Sequence, residues 1–216
     1  MKLELPKLYP ITDRRLSGLT HAEQVARLCE GGARFVQLRE KHLPARAFHA
    51  EAAEAMRVAR GYGATLMIND RADVALVVGA DGVHLGQDDM PPSAARLLLG
   101  EGKLVGFSTH NIEQAVAAAR LPVDYIAVGP VFSTSSKENP DPVVGLEGLR
   151  RVRAAVGESV KLVAIGGITN ETAPSVLAAG ADSVAVIGAL LDASDPAEIT
   201  RRTRDFLALL SGSAPA

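Results

Sequence analysis

Eight short apolar runs recur along the chain, and they restrict its fold more than any other feature. They are LYPITD (8–13), RFVQLRE (34–40), TLMIND (65–70), GVHLGQ (82–87), LVGFST (104–109), YIAVGPVF (125–132), LVAIGG (162–167) and SVAVIG (183–188). Most are continuously hydrophobic rather than alternating, which is the pattern of parallel strands covered on both faces. Amphipathic helical stretches lie between them, among them HAEQVARLCEGG, PARAFHAEAAEAMRVAR, NIEQAVAAARL and NETAPSVLAAG. Several joints repeat: EGGARFVQL, VGADGVHLG and AAGADSVAVIG share a helix-ending glycine, a short link and a strand. Eight βα units in 216 residues predict an α/β fold, a single (β/α)8 TIM barrel over residues 1–216 with a frayed tail from about residue 211. A doubly wound open sheet is the rival, but it uses fewer strands and a glycine-rich turn after its first strand. Strand 1 here runs into TDRRLSG instead.

Composition narrows the partners. The net charge of −2 offers no general attraction to nucleic acid or to an anionic membrane, so any phosphate site has to be local. No run approaches the length of a membrane span, and MKLELPKLYP lacks the apolar centre of a signal peptide. A single cysteine, Cys29, excludes an internal disulfide and reads as a small buried hydrophobe in a reducing compartment. These features predict a cytoplasmic protein with small-molecule partners, no nucleic acid and no membrane; they are compatible with an oligomer.

In a barrel, active sites form at the carboxyl ends of the strands. Strand 2 ends Gln37-Leu38-Arg39-Glu40-Lys41, strand 3 ends Asn69-Asp70-Arg71, and strand 4 ends Gln87-Asp88-Asp89. Strand 5 ends Ser108-Thr109-His110, and strand 6 runs into Ser133-Thr134-Ser135-Ser136-Lys137. Strands 7 and 8 end in Gly166-Gly167 and Ile187-Gly188. Neighbouring parallel strands lie about 4.8 Å apart, so Asp70 and Asp89 can face one shared ion. Two carboxylates completed by water and phosphate oxygens suit Mg²⁺. Spacing alone leaves Asp88 as an alternative to Asp89, and a helix-capping role for Asp70 stays open. Arg39 and Lys41 are two apart and point to one side of an extended segment, as does Gln37; a planar fork beside a point charge suits a diphosphate. The plainer reading, an exposed charged strand end, accounts for Glu40 but not for three polar residues in register.

The stretch 133–144 is long and proline-rich for a βα link and reads as a lid, with a surface linker as the alternative. Gly166, Gly167 and Gly188 leave backbone N–H groups open where barrels commonly bind a monophosphate. His21 and His49 fall on helical patterns and are expected at the surface. His84 lies within strand 4 as a packed, satisfied histidine, and His110 borders the rim. No Ser-His-Asp or Cys-His set assembles. Residue chemistry therefore reaches a barrel with a Mg²⁺-diphosphate site and a second phosphate site, without naming the organic substrates.

The ordered set YPITD, VQLREK, INDR, GADGVHLGQDD, GFSTH, YIAVGPVFSTSSK, VAIGGIT and GADSVAVIGAL closely resembles the thiamine phosphate synthase family, over residues 8–191. The resemblance implies a transferase of thiamine biosynthesis. It would join 4-amino-5-hydroxymethyl-2-methylpyrimidine diphosphate to a thiazole phosphate, releasing pyrophosphate, with one Mg²⁺ per subunit. It implies that Gln37, Leu38, Arg39, Glu40, Lys41, Asn69, Ser108 and Lys137 bind the pyrimidine diphosphate, and that Asp70 and Asp89 hold the metal. Thr134, Ser135, Ser136, Gly167, Ile187 and Gly188 would bind the thiazole phosphate, and Arg39, Lys41, Ser108 and Lys137 would be the catalytic groups. Two positions depart from the family pattern. Ser136 stands where threonine is common, and Gly188 stands where serine is common, which bears on phosphate affinity. Thiazole tautomerases, relatives on the same fold, tend to carry a histidine just after strand 6, where this chain has Pro130.

Overall fold

The computed structural model describes residues 4–134, 141–193 and 195–212. Its strands are β1 (Leu8–Pro10), β2 (Phe35–Leu38), β3 (Thr65–Asn69), β4 (Gly82–Leu85), β5 (Leu104–Thr109), β6 (Tyr125–Val128), β7 (Lys161–Ile165) and β8 (Ser183–Val186). All pair in parallel, in the order β1-β8-β7-β6-β5-β4-β3-β2. The ring closes between its first and last members. A parallel bridge joins Ile11 to Gln37, and the Thr12 amide donates to the Gln37 carbonyl at 2.9 Å. The expected barrel is the observed one.

Helices α1 (Arg14–Ser17), α2 (His21–Glu30), α3 (Ala45–Gly61), α4 (Ala72–Val78), α5 (Pro92–Leu99), α6 (Ile112–Ala118), α7 (Gly145–Val156), α8 (Ala173–Ala178), α9 (Gly188–Leu191) and α10 (Pro196–Ser211) alternate with the strands. α1 and α9 are single extra turns on the β1 and β8 connections; the other eight follow the predicted alternation. Among the described residues no helix is long and apolar enough to cross a membrane. The expected frayed tail lies largely outside the described residues; the helix itself runs to Ser211. Each apolar run in the sequence holds a strand, but the strands stop short of the run ends. β2 ends at Leu38 and β6 at Val128, because the following residues turn to build the rim.

Alternation along the strands divides two cores. Tyr9, Ile11, Phe35, Met67, Tyr125, Ala127, Val163 and Ala185 fill the barrel interior. Leu8, Val36, Leu38, Leu66, Ile68 and many others face the helices. Cys29 lies in this outer core, as expected, and burial pushes its thiol up to about 11. His49 is exposed as expected, whereas His21 is fully buried, contrary to its surface reading. The face of α2 that carries His21 is turned inward against the end of β1, where polar partners await its ring.

The two GAD joints, and the PVD joint before β6, acquire a physical meaning at the opposite end of the barrel. Asp81, Asp124 and Asp182 stand one residue ahead of β4, β6 and β8. Their carboxylates accept the backbone N–H of Leu66 (2.8 Å), Val105 (2.7 Å) and Leu162 (2.8 Å) on the preceding strand. Their own amides donate to the carbonyls of the same three residues at 3.0, 2.8 and 2.8 Å. Each aspartate is thus a two-point clip between neighbouring strands. Arg96 from α5 pairs with Asp124, and Arg153 from α7 pairs with Asp182, so the clips also tie helices to the sheet.

Removing one clip strands a backbone donor. Asp182→Ala is expected to lower the unfolding free energy by about 2 kcal/mol, measured by urea titration, while leaving the opposite rim intact. An unchanged midpoint and slope would show that the clip contributes nothing.

Candidate functional site at the carboxyl rim

The rim carries a belt of charged and polar contacts running from β1 to β5. Asp13, just past β1, pairs through Oδ2 with Arg39 Nη1 at 3.2 Å, just past β2. Lys41 pairs with Asp70, which follows β3. Asp70 meets the carboxyl group of Asp89 beyond β4, and Asp89 Oδ2 accepts from the Gly86 amide at 2.6 Å. Gln87 Nε2 then donates to the Ser108 carbonyl on β5 at 2.5 Å. Residues distant in sequence are therefore adjacent here because parallel strands bring equivalent ends together.

Asp70 bears the marks of a specialised position. Its φ of 63° lies in the left-handed region, where aspartate is among the few tolerated side chains. Its amide donates to the His84 carbonyl at 2.8 Å, fixing that turn to β4. Helix α4 has Arg71 at its N-cap and no side-chain cap, so the capping role for Asp70 is not used. Burial holds the Asp70 carboxyl above its usual range, the Lys41 ammonium pulls it back, and the Asp89 carboxyl pushes the same way as burial. The two oxygens-only side chains can share a divalent cation. Asp88 is exposed, and the carboxyl that meets Asp70 is that of Asp89.

Behind the belt, a buried polar relay crosses the barrel interior. Gln37 Nε2 donates to the Tyr9 hydroxyl at 2.9 Å, which lies 2.9 Å from the Tyr125 hydroxyl. That hydroxyl is 3.0 Å from His84 Nδ1, and His84 Nε2 is 2.9 Å from Ser108 Oγ. Burial lowers the His84 pKa to about 4, so the ring is neutral at pH 7. With Gln37 donating, every relay proton has an acceptor within the run when Tyr9 donates to Tyr125 and Tyr125 to His84 Nδ1. His84 Nε2–H then donates to Ser108. Ser108 keeps its own proton for the rim. Gly106 makes the relay possible: a Cβ there would lie 2.1 Å from Tyr125 Cζ and 2.6 Å from His84 Nδ1. The two rings stack with centroids 5.5 Å apart in the space this leaves.

The predicted residues fall into distinct places. Gln37 is buried in the interior, whereas Arg39 and Lys41 lie beyond the strand end; the three do not form one extended face. Leu38 is buried in the outer core. Glu40 is not an exposed strand-end charge: its side chain is only 7% exposed and pairs with His21 Nε2 at 3.1 Å. Asn69 ends β3, buried and in register with His84. Gly166 and Gly167 have φ of 103° and 63° and serve close packing. A Cβ on Gly166 would meet Pro130 Cβ at 2.5 Å, and one on Gly167 would meet the Ser133 carbonyl at 2.4 Å. The glycine pair thus seats the root of the hydroxyl-rich loop against β7, with Thr134 half-buried next along. Ile187 and Gly188 form the turn from β8 into α9. Ser135, Ser136, Lys137 and much of the expected lid lie outside the described residues. His110 is at the rim, its Nδ1 2.8 Å from the Gly129 carbonyl and 3.5 Å from Asp141 Oδ2.

Sequence reasoning missed Asp13 and the relay tyrosines. Asp13 carries the same signal as Asp70, an acid ending an apolar run, and could have been found by it. Tyr9 and Tyr125 read as ordinary interior aromatics, since nothing in a single sequence tells which hydroxyls meet.

The chain is a (β/α)8 barrel with cations and carboxylates gathered on its carboxyl rim, and its relatives are transferases of thiamine synthesis. The thiamine monophosphate synthase family matches residues 8–190, and the chain belongs to that family. The thiamine-phosphate synthase of Koribacter versatilis is 48% identical over 215 residues, covering 96% of this chain and 97% of that protein. That of Chloroflexus aurantiacus is 46% identical over 206 residues, covering 95% and 93%. The solved thiamine phosphate pyrophosphorylase from Pyrococcus furiosus superposes with a TM-score of 0.81 at 39% identity, over 93% of this chain and 95% of that one.

The neutral His84 has a consequence for stability. An unfolded chain protonates histidine near pH 6.5, whereas the folded ring resists until about 4. Between those values the unfolded state binds the extra proton, so stability present above pH 6.5 is lost as pH falls toward 4. Burial also lowers the His21 pKa, in the same direction. Urea unfolding of His84→Gln between pH 4 and 7 should show a shallower acid decline than the parent. A decline of equal slope would assign the titration elsewhere.

Proposed function

We infer that the protein couples 4-amino-5-hydroxymethyl-2-methylpyrimidine diphosphate to a thiazole phosphate, forming thiamine phosphate and pyrophosphate. The carrying observation is the rim belt in a chain of this family: Lys41 stands against the Asp70–Asp89 carboxyl pair, and Arg39, two residues before it, pairs with Asp13 on the same rim. The C–O bond between the pyrimidine methylene and the diphosphate breaks, and the lone pair of the thiazole nitrogen forms the new C–N bond. A ring nitrogen with a free lone pair needs no general base, which accords with the neutral state of the buried His84. The leaving diphosphate gathers negative charge, and Arg39, Lys41 and Lys137 are the groups assigned to stabilise it. The Lys41–Asp70 ion pair keeps both charges at the rim before ligand arrives.

Asp70 and Asp89 fit a Mg²⁺ ion. They supply hard oxygen donors; burial raises the Asp70 pKa, the Asp89 carboxyl adds to it, and a cation between the two would relieve that crowding. When bound, that ion would supply charge neutralisation for the departing diphosphate. Among the described residues no group of three or more His, Cys, Asp or Glu side chains could hold a metal alone, so the remaining ligands belong to phosphate and water. Gln37 and Asn69 are assigned to the pyrimidine, with Leu38 and Glu40 contributing through the backbone they shape. Ser108, its hydroxyl proton left over by the relay, donates to the diphosphate substrate. Thr134, Ser135, Ser136, Gly167, Ile187 and Gly188 are assigned to the thiazole phosphate. A cytoplasmic site of action fits the one thiol, which is free and buried.

Both substrates with Mg²⁺ should give thiamine phosphate and pyrophosphate in equal amounts. Isomerisation of the thiazole phosphate without coupling, or binding without turnover, would sink the reading. Asp89→Ala should lower kcat by about 100-fold or more with an unchanged circular dichroism spectrum. Parental activity in that variant at limiting Mg²⁺ would remove Asp89 from the metal site.

A further inference from the structure

His21 is a fully buried titratable group that the coupling reaction does not use. It opens α2, placed there by a capping box in which Thr20 and Glu23 satisfy each other's backbone amides. Its own amide donates to Glu51 Oε2 at 3.1 Å, tying it to α3. His21 and Gln24, one helical turn apart, face the end of β1 together: Gln24 Oε1 accepts the Asp13 amide at 2.9 Å. His21 Nδ1 lies 2.8 Å from Thr12 Oγ1, and that oxygen accepts the Arg39 amide at 3.2 Å. On the other side, His21 Nε2 lies 3.1 Å from Glu40 Oε2. Glu40 Oε1 accepts the amides of His42 (2.6 Å) and Leu43 (3.1 Å).

The contacts form a loop with a definite direction. The Thr12 hydroxyl donates to His21 Nδ1, and His21 Nε2–H donates to Glu40. Burial lowers the His21 pKa against the pull of Glu40, which suits this neutral tautomer. Amides 39, 42 and 43 are all held through one imidazole. Between them lies the segment that carries Arg39 and Lys41.

We propose that His21 is a positioning residue that clamps the 39–43 segment through Thr12 and Glu40 and so aims Arg39 and Lys41 at the diphosphate. This rests on the coupling reading for its substrate, though the clamp itself is a property of the fold. An imidazole suits the task because its two nitrogens face opposite ways, accepting on one side and donating on the other.

The test compares His21→Ala, His21→Gln and Thr12→Val with the parent in steady-state kinetics and in amide hydrogen exchange. His21→Ala should raise KM for the pyrimidine diphosphate about 10-fold while KM for the thiazole phosphate stays within about twofold. Exchange at the His42 and Leu43 amides should speed up in step. Thr12→Val, which breaks the loop at its other end, should move both readouts in the same direction and carries the test where His21→Ala does not fold. His21→Gln keeps a donor toward Glu40 and should recover part of the loss. Equal KM shifts for both substrates, or unchanged exchange at 42 and 43, would overturn the proposal. If the parent makes no thiamine phosphate, the coupling reading fails on its own. The clamp is then judged by exchange and by calorimetric binding of Mg²⁺-pyrophosphate, which His21→Ala should weaken and which, if equal to the parent's, overturns it.

Discussion

Closure of the ring between β1 and β2 is the constraint on which the site depends. That seam is short: one bridge at Ile11 and Gln37 and one amide from Thr12 to the Gln37 carbonyl. It nevertheless decides who meets whom. Only across a closed seam do Thr12 and Asp13 lie beside Arg39, and only then can Gln37 reach the Tyr9 hydroxyl. An open sheet with the same strands would leave β1 and β2 at opposite edges. The belt of charges would then be broken where its first cation stands.

Burial turns that adjacency into chemistry. In water an ion pair such as Lys41–Asp70 is worth little, but at a partly buried rim burial holds the Asp70 carboxyl above its usual range and the Lys41 ammonium pulls it back. The relay beneath works by the opposite means. Its members are uncharged at pH 7, and burial keeps them so, raising both tyrosine pKa values and lowering that of His84. Charged groups thus sit at the rim, and neutral hydrogen-bonding groups sit in the barrel interior beneath them.

Much of this was legible in the residue order. Continuous apolar runs reveal strands covered on both faces, and acids or cations ending such runs reveal the rim, because a carboxylate has little reason to follow a buried strand otherwise. That signal points to Asp70 and Asp89, whose carboxyl groups meet at the rim. What could not be read was the direction in which each side chain turns once its strand ends. Gln37, Arg39 and Lys41 share a spacing of two, yet the strand stops at Leu38 and the spacing loses its meaning beyond it. His21 was misplaced for a related reason. A polar residue on a helix reads as solvent-facing unless its partners are known, and Thr12 and Glu40 come from other elements.

The empty place at Gly106 carries a lesson about how such a pocket can change. His84, Gly106 and Tyr125 sit at one level of the barrel, paired in register from β4 through β5 to β6. Two large rings coexist there only because their neighbour has none. Those three positions can change only as a single unit, since enlarging one consumes the volume of the others. Evolution or engineering would therefore find the charged lip far more malleable than the floor beneath it.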